Sequence, residues 1–188
     1  MPGISVVNFV TLDGVVQSVL SADEDRDGGF EHGGWTEPYM DPVVGRVMSD
    51  ATTGAGGFLL GRRTYDNFAA SWSGADQSEP AVAALNQKPK YVVSRTLDSA
   101  GWTNSHVIRD DEIGPLGTRE DLVVFGSSGL MPTLLAKDLI DHCTLLMFPL
   151  VLGTGKRMFA EGVAPATLAW EHSEVSTTGV VILRYGRP

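Results

Sequence analysis

Asp121-Leu122-Val123-Val124-Phe125-Gly126-Ser127-Ser128-Gly129-Leu130 is the stretch from which the fold can be read. Leu122 to Phe125 is an unbroken apolar run, rich in β-branched and aromatic residues, with no polar alternation. A strand of that kind is covered on both faces, as in a parallel sheet. It stops at a glycine and two serines that open a helix, and backbone N–H groups at such a junction suit a pyrophosphate. The G-x-G-x-x-G spacing of the ordinary dinucleotide-binding turn is absent.

The same pattern recurs upstream. Phe58-Leu59-Leu60 ends in Gly61-Arg62-Arg63-Thr64-Tyr65, and Lys90-Tyr91-Val92-Val93 runs into Ser94-Arg95-Thr96. Ile4 to Val10 reads as a first buried strand closed by Leu12-Asp13-Gly14, and Leu145 to Phe148 as a further strand. Asp41-Pro42 reads as an N-cap with proline at the first helical position of a helix to about Thr53. Ser21 to Gly34, acidic and glycine-rich, reads as a long surface loop. Val175 to Tyr185, with Thr178-Gly179 at its centre, reads as an antiparallel edge hairpin. Strands alternating with helices point to one α/β domain over residues 1–188 with a mostly parallel sheet.

In an open parallel sheet the carboxyl ends of the strands form the ligand crevice. Three of those ends carry glycine, hydroxyl or guanidinium groups. Gly61 permits close backbone approach, and Arg62 and Arg63 can grip phosphate in a bidentate manner. Ser94-Arg95-Thr96 suits the 2′-phosphate of an NADP-type adenosine. Each motif alone also reads as a solvated polar turn; their convergence carries the functional reading.

Composition narrows the partners. The chain has 188 residues, 43% of them hydrophobic, and 23 acidic against 14 basic residues give a formal charge of −9. That field repels nucleic acid and anionic membranes, so any anionic ligand needs a local basic pocket. Cys143, the single cysteine, lies in an apolar run and suits a reducing compartment. No signal-peptide pattern opens the chain and no apolar run is long enough to span a membrane, so a cytoplasmic location is expected. Four scattered histidines offer no metal-ligand spacing. Gly153-Thr154-Gly155-Lys156-Arg157 lacks the first glycine and the final hydroxyl of a P-loop. No nucleophile elbow and no zinc-deaminase motif is present.

Taken in order, Thr11-Leu12-Asp13-Gly14, Gly61 to Tyr65, Val92 to Thr96, Val124 to Leu130 and Pro149 to Phe159 resemble the dihydrofolate-reductase-like family. More narrowly, they resemble the C-terminal reductase domain of riboflavin-biosynthesis deaminase-reductases in stand-alone form. The resemblance implies a three-layer α/β/α sandwich with a mixed, mostly parallel sheet, NADPH as hydride donor, and a homodimer. It implies that Gly61, Arg62, Arg63 and Thr64 hold cofactor phosphates and that Ser94 and Arg95 hold the adenosine 2′-phosphate. Gly126, Ser127, Ser128, Gly129 and Leu130 would hold the pyrophosphate, with Gly126-Ser127 where folate reductases have paired glycines. Asp13 and Gly14 match the turn whose loop closes over the nicotinamide. Asp13 and Asp41 are the candidate catalytic acids, Asp41 reading first as an N-cap, with Glu37 close by. Trp35 and Phe148 are candidates to stack a flat substrate or else core aromatics, and Lys156 and Arg157 are candidates for a substrate phosphate. The expected substrate is a pyrimidine or pteridine-like heterocycle, such as a 5-amino-6-(5-phosphoribosylamino)uracil-type riboflavin precursor or dihydrofolate. A non-catalytic NADPH or flavin-like nucleotide-binding module, or an NADPH reductase of an unrelated carbonyl compound, is the alternative.

Overall fold

The computed structural model describes residues 2–188. Eight strands form one sheet: β1 (Ile4–Thr11), β2 (Gly57–Gly61), β3 (Lys90–Val93), β4 (Ser105–Ile108), β5 (Leu122–Phe125), β6 (His142–Phe148), β7 (Ala169–Val175) and β8 (Val181–Gly186). Their order is β4-β3-β2-β5-β1-β6-β8-β7. The first six in that row are parallel, and β8 and β7 close the other side as antiparallel strands. The sheet is therefore mixed and mostly parallel, as the apolar runs predict.

Helices cover both faces. On one, α1 (Pro42–Gly54), α2 (Arg62–Trp72) and α3 (Pro80–Gln87) lay Val44, Val47, Tyr65 and Leu85 against Val7, Phe9, Phe58, Leu60, Val92 and Phe125. On the other, α4 (Ile113–Gly117) and α5 (Met131–Ala136) lay Ile113, Met131 and Leu134 against Ile4, Val6, Leu59, Val93 and Val124. Successive strand residues thus divide between two cores, which is why the central strands are apolar on both faces. The expected three-layer sandwich is the result.

Two polar groups fix the frame. Asp41 caps α1, its Oδ1 accepting from Val43 N at 3.0 Å and Val44 N at 2.9 Å. Its Oδ2 accepts from Thr177 Oγ1 at 2.6 Å and Thr177 N at 2.8 Å, which ties the β7–β8 turn to the helix start. These bonds, the Thr177 hydroxyl first, hold its carboxyl well below the ordinary carboxylate range. Lys90 at the start of β3 is fully buried, and its ammonium donates to the carbonyls of Leu85 (2.7 Å), Lys88 (3.0 Å) and Asn86 (3.3 Å) under the Trp102 ring. Burial lowers its pKa to about 8. Anchored there, β3 delivers Ser94 and Arg95 at its far end.

β3 stops at Val93, where Ser94 Oγ accepts from Leu97 N at 3.0 Å and turns the chain. The helix opened by the Gly126-Ser127-Ser128 turn is the short α5, entered through a 3-10 turn at Ser128–Leu130. No helix among the described residues is long and apolar enough to cross a membrane.

Candidate active site

The strand ends meet at a cavity of about 640 Å³, within the usual size of a small-molecule site. Its opening follows from register. β1 stays paired with β6 as far as Thr11↔Phe148, but its pairing with β5 ends at Val7↔Phe125. Beyond Val7 the two strands part, and Asn8 and Phe9 of β1 become cavity wall together with Phe125 and Gly126.

Gly61 to Thr64, Ser94 to Thr96 and Gly126 to Leu130 all line this cavity. Gly126 and Ser127 are successive left-handed residues, at φ 55° and 53°. Ser127 thus adopts the conformation glycine would take freely, and its own hydrogen bonds hold it there. Its Oγ accepts from Gly61 N at 2.9 Å and donates to Thr64 Oγ1 at 3.1 Å, and its N–H donates to the same hydroxyl at 3.1 Å. The β2 and β5 turns are thereby locked into one backbone cradle. A Cβ on Gly126 would meet Thr64 Oγ1 at 3.4 Å.

The cations differ in how they are held. Arg62 pairs with Asp66 at 2.7 Å. Arg63 reaches Asp25 and Asp27, both at 3.3 Å, and Lys156 reaches the same two carboxylates at 2.7 and 3.0 Å. Arg95 is exposed and has no carboxylate partner among the described residues. Beside it the backbone carbonyl of Ser94 accepts from Arg109.

The acidic loop is consequently a wall of the site. Gln17 Nε2 donates to the carbonyls of Asp25 (3.0 Å) and Asp27 (2.9 Å), and Asn67 Nδ2 donates to that of Glu24 (3.1 Å). Lys156 is delivered by an antiparallel contact between Val15 and Arg157, with Val16 N donating to Lys156 O at 2.9 Å. Gly155 allows that approach, since a Cβ there would lie 2.8 Å from Phe30 and Val15. Glu24, Asp25, Asn67, Gln17 and Asn8 are cavity residues that the sequence motifs did not single out. Burial raises the pKa of Glu24 from its ordinary value.

Other candidates lie elsewhere. Asp13 is off the cavity wall: it accepts from Thr11 Oγ1 (2.6 Å), Gly153 N (2.9 Å) and Leu152 N (3.2 Å), and these bonds, the hydroxyl first, lower its pKa to about 2. Arg157 stands 3.8 Å from it. Asp41 and Glu37 are likewise absent from the wall, Asp41 being engaged as the α1 cap. Trp35 and Phe148 are buried in the core edge to face, 5.2 Å between ring centroids, and Trp35 Nε1 donates to Gln17 O. No group of three or more His, Cys, Asp or Glu positioned to hold a metal exists among the described residues.

Residues 2–183 match the family described as the RibD C-terminal domain. The chain belongs to that family. This RibD C-terminal domain is 25% identical over 183 residues to "Uncharacterized protein YyaP" of Bacillus subtilis (strain 168), covering 94% of the chain and 90% of YyaP. Among solved structures it resembles a candidate riboflavin biosynthesis protein from Shewanella sp. PV-4, with a TM-score of 0.71, 20% identity, and coverage of 100% and 99% of the two chains. It also resembles dihydrofolate reductase from Enterococcus faecalis, solved with NADP(H) and RAB-propyl, with a TM-score of 0.63, 14% identity, and coverage of 98% and 96%. The fold of this RibD C-terminal domain is thus dihydrofolate-reductase-like, as its motif order predicts.

Proposed function

We propose that this RibD C-terminal domain is an NADPH-dependent reductase of a small planar heterocycle. One observation carries the reading: of the cations on the cavity wall, only Arg95 lacks a carboxylate partner among the described residues, and it sits beside the Ser94 and Thr96 hydroxyls. A free guanidinium at a strand end suits a 2′-phosphate, while the Gly126-Ser127 cradle suits a pyrophosphate that needs close backbone approach. NADPH bound there supplies the hydride; the chain's part is to orient it against the acceptor and keep the cleft dry.

Charge pairing also narrows the substrate within this reading. Lys156 and Arg63, the cations nearest the β1 side, already face Asp25 and Asp27. A phosphate tail at Lys156 or Arg63 would have to displace two carboxylates, which favours a pyrimidine or pteridine-like ring that carries no phosphate at that point.

Titration of the protein with NADPH and NADH, followed by quenching of tryptophan fluorescence, tests the cofactor. NADPH is expected to bind at least about tenfold more tightly, as one charge-assisted contact contributes about 1.5–3 kcal/mol. Loss of NADPH absorbance with unphosphorylated heterocycles then tests the substrate. Binding of neither nucleotide by folded protein overturns the reading.

A further inference from the structure

Gln17 joins two segments that carry opposite charge. Its side chain is buried and both ends of the amide are used: Nε2 donates to the carbonyls of Asp25 (3.0 Å) and Asp27 (2.9 Å), and Oε1 accepts from Lys156 N at 2.9 Å. One buried amide therefore sets the acidic loop in register with the segment that brings Lys156. Asp25 N donates to Ser18 Oγ at 3.1 Å, and Asp27 N to Asp25 Oδ1 at 3.1 Å, so the loop backbone is held by bonds that do not involve the cations. A chance pairing of surface charges needs none of this support.

The result is two carboxylates presented to two cations. Lys156 Nζ stands 2.7 Å from Asp25 and 3.0 Å from Asp27, and Arg63 stands 3.3 Å from each. Gln17, Asp25, Arg63 and Lys156 line the cavity, and the formal charges of the two pairs cancel. The carboxylates take the places on these cations that phosphate oxygens would otherwise take. A phosphate arriving at this end meets two fixed anions and no uncompensated cation, whereas an uncharged polar ring meets no such repulsion.

We propose that Asp25 and Asp27 are specificity-determining residues: as resident anions on Lys156 and Arg63 they turn away ligands phosphorylated at this end of the cavity and admit uncharged ones, with Gln17 as the positioning residue. This inference rests on the reductase reading of the cavity and adds to it the residues that select the substrate class. Removing the two carboxylates then creates an anion site at Lys156.

The test compares uridine with uridine 5′-phosphate, a pyrimidine pair differing only in the phosphate, by calorimetric titration of the wild type and of Asp25→Asn/Asp27→Asn. In the double variant the ratio of the two Kd values is expected to move toward the phosphorylated ligand by at least about tenfold, the size of one charge-assisted contact. Adding Lys156→Met is expected to return the ratio to the wild-type value. A loop with a purely structural role moves neither. An unchanged ratio, no binding of uridine 5′-phosphate by the folded double variant, or a gain that survives Lys156→Met overturns the assignment. Should the double variant not fold, Asp27→Asn is used alone, since the Asp27 side chain is 57% exposed. A gain in the same direction of about threefold is then expected, and its absence overturns the assignment. NADPH titration of the wild type reads the cofactor separately: no NADPH binding beside a gain for uridine 5′-phosphate removes the reductase reading and leaves the selection against phosphate standing.

Discussion

The two rims of the cavity carry similar cations in opposite states. On the β3 rim Arg95 stands exposed beside two hydroxyls, with no acid facing it among the described residues. On the β1 rim Lys156 and Arg63 share Asp25 and Asp27. Asp25 is mostly covered, its side chain 13% exposed, so the clamp lies partly out of water and is less screened than a surface pair. A basic residue near a cavity is thus an anion site only where the fold leaves its charge uncompensated. On the NADPH reading proposed above, the phosphate-bearing end of the ligand belongs at β3 and the uncharged end at the opposite rim.

The largest expected effect comes from the cradle that joins the rims. Gly126→Val puts a β-branched residue at φ 55° with its Cβ against Thr64, and should destabilise the protein by about 2 kcal/mol. Denaturant titration checks the stability, and NADPH binding should fall with it. Unchanged stability would mean that the cradle is not held as described.

Next comes the β1 side, where Asp13 ties the first turn to Leu152 and Gly153. Asp13→Asn should cost about 1–2 kcal/mol by loss of charge-assisted bonds. The sign of the pH dependence follows from the lowered pKa: the stabilisation is complete above the unfolded value near 3.8 and is lost as pH falls through about 2. Thermal melts from pH 5 to pH 2 should therefore be less steep for Asp13→Asn than for the wild type. Parallel curves would remove Asp13 from the acid limb.

The smallest effect belongs to the clamp. Lys156→Met should change the NADPH Kd by less than about threefold, since the ammonium already has its counterions and adds little to a distant phosphate. A loss comparable to that of an Arg95 variant would break the comparison between the rims.

The central strands were legible in the sequence because Phe58 to Leu60 and Leu122 to Phe125 are buried on both faces, so their pattern is continuous. The β4 strand was not: Ser105-His106-Val107-Ile108 is a short edge strand with only Ile108 fully buried, and edge strands need no apolar run. The three glycine, serine and arginine turns were legible as a set because strand ends carry them. That Asn8 lines the cavity was hidden, since one asparagine in an apolar strand has no motif. Nor could the sequence pair Lys156 with Asp25, 131 residues away, or show that Trp35 and Phe148 turn inward. Those are products of loop closure, which local patterns do not encode.

The most direct test compares NADPH and NADH affinities in the wild type and in Arg95→Ala. If Arg95 holds the 2′-phosphate, the substitution weakens NADPH by about tenfold or more, leaves NADH within about twofold, and collapses the preference between them. A preference for NADPH that survives intact in Arg95→Ala would contradict the account.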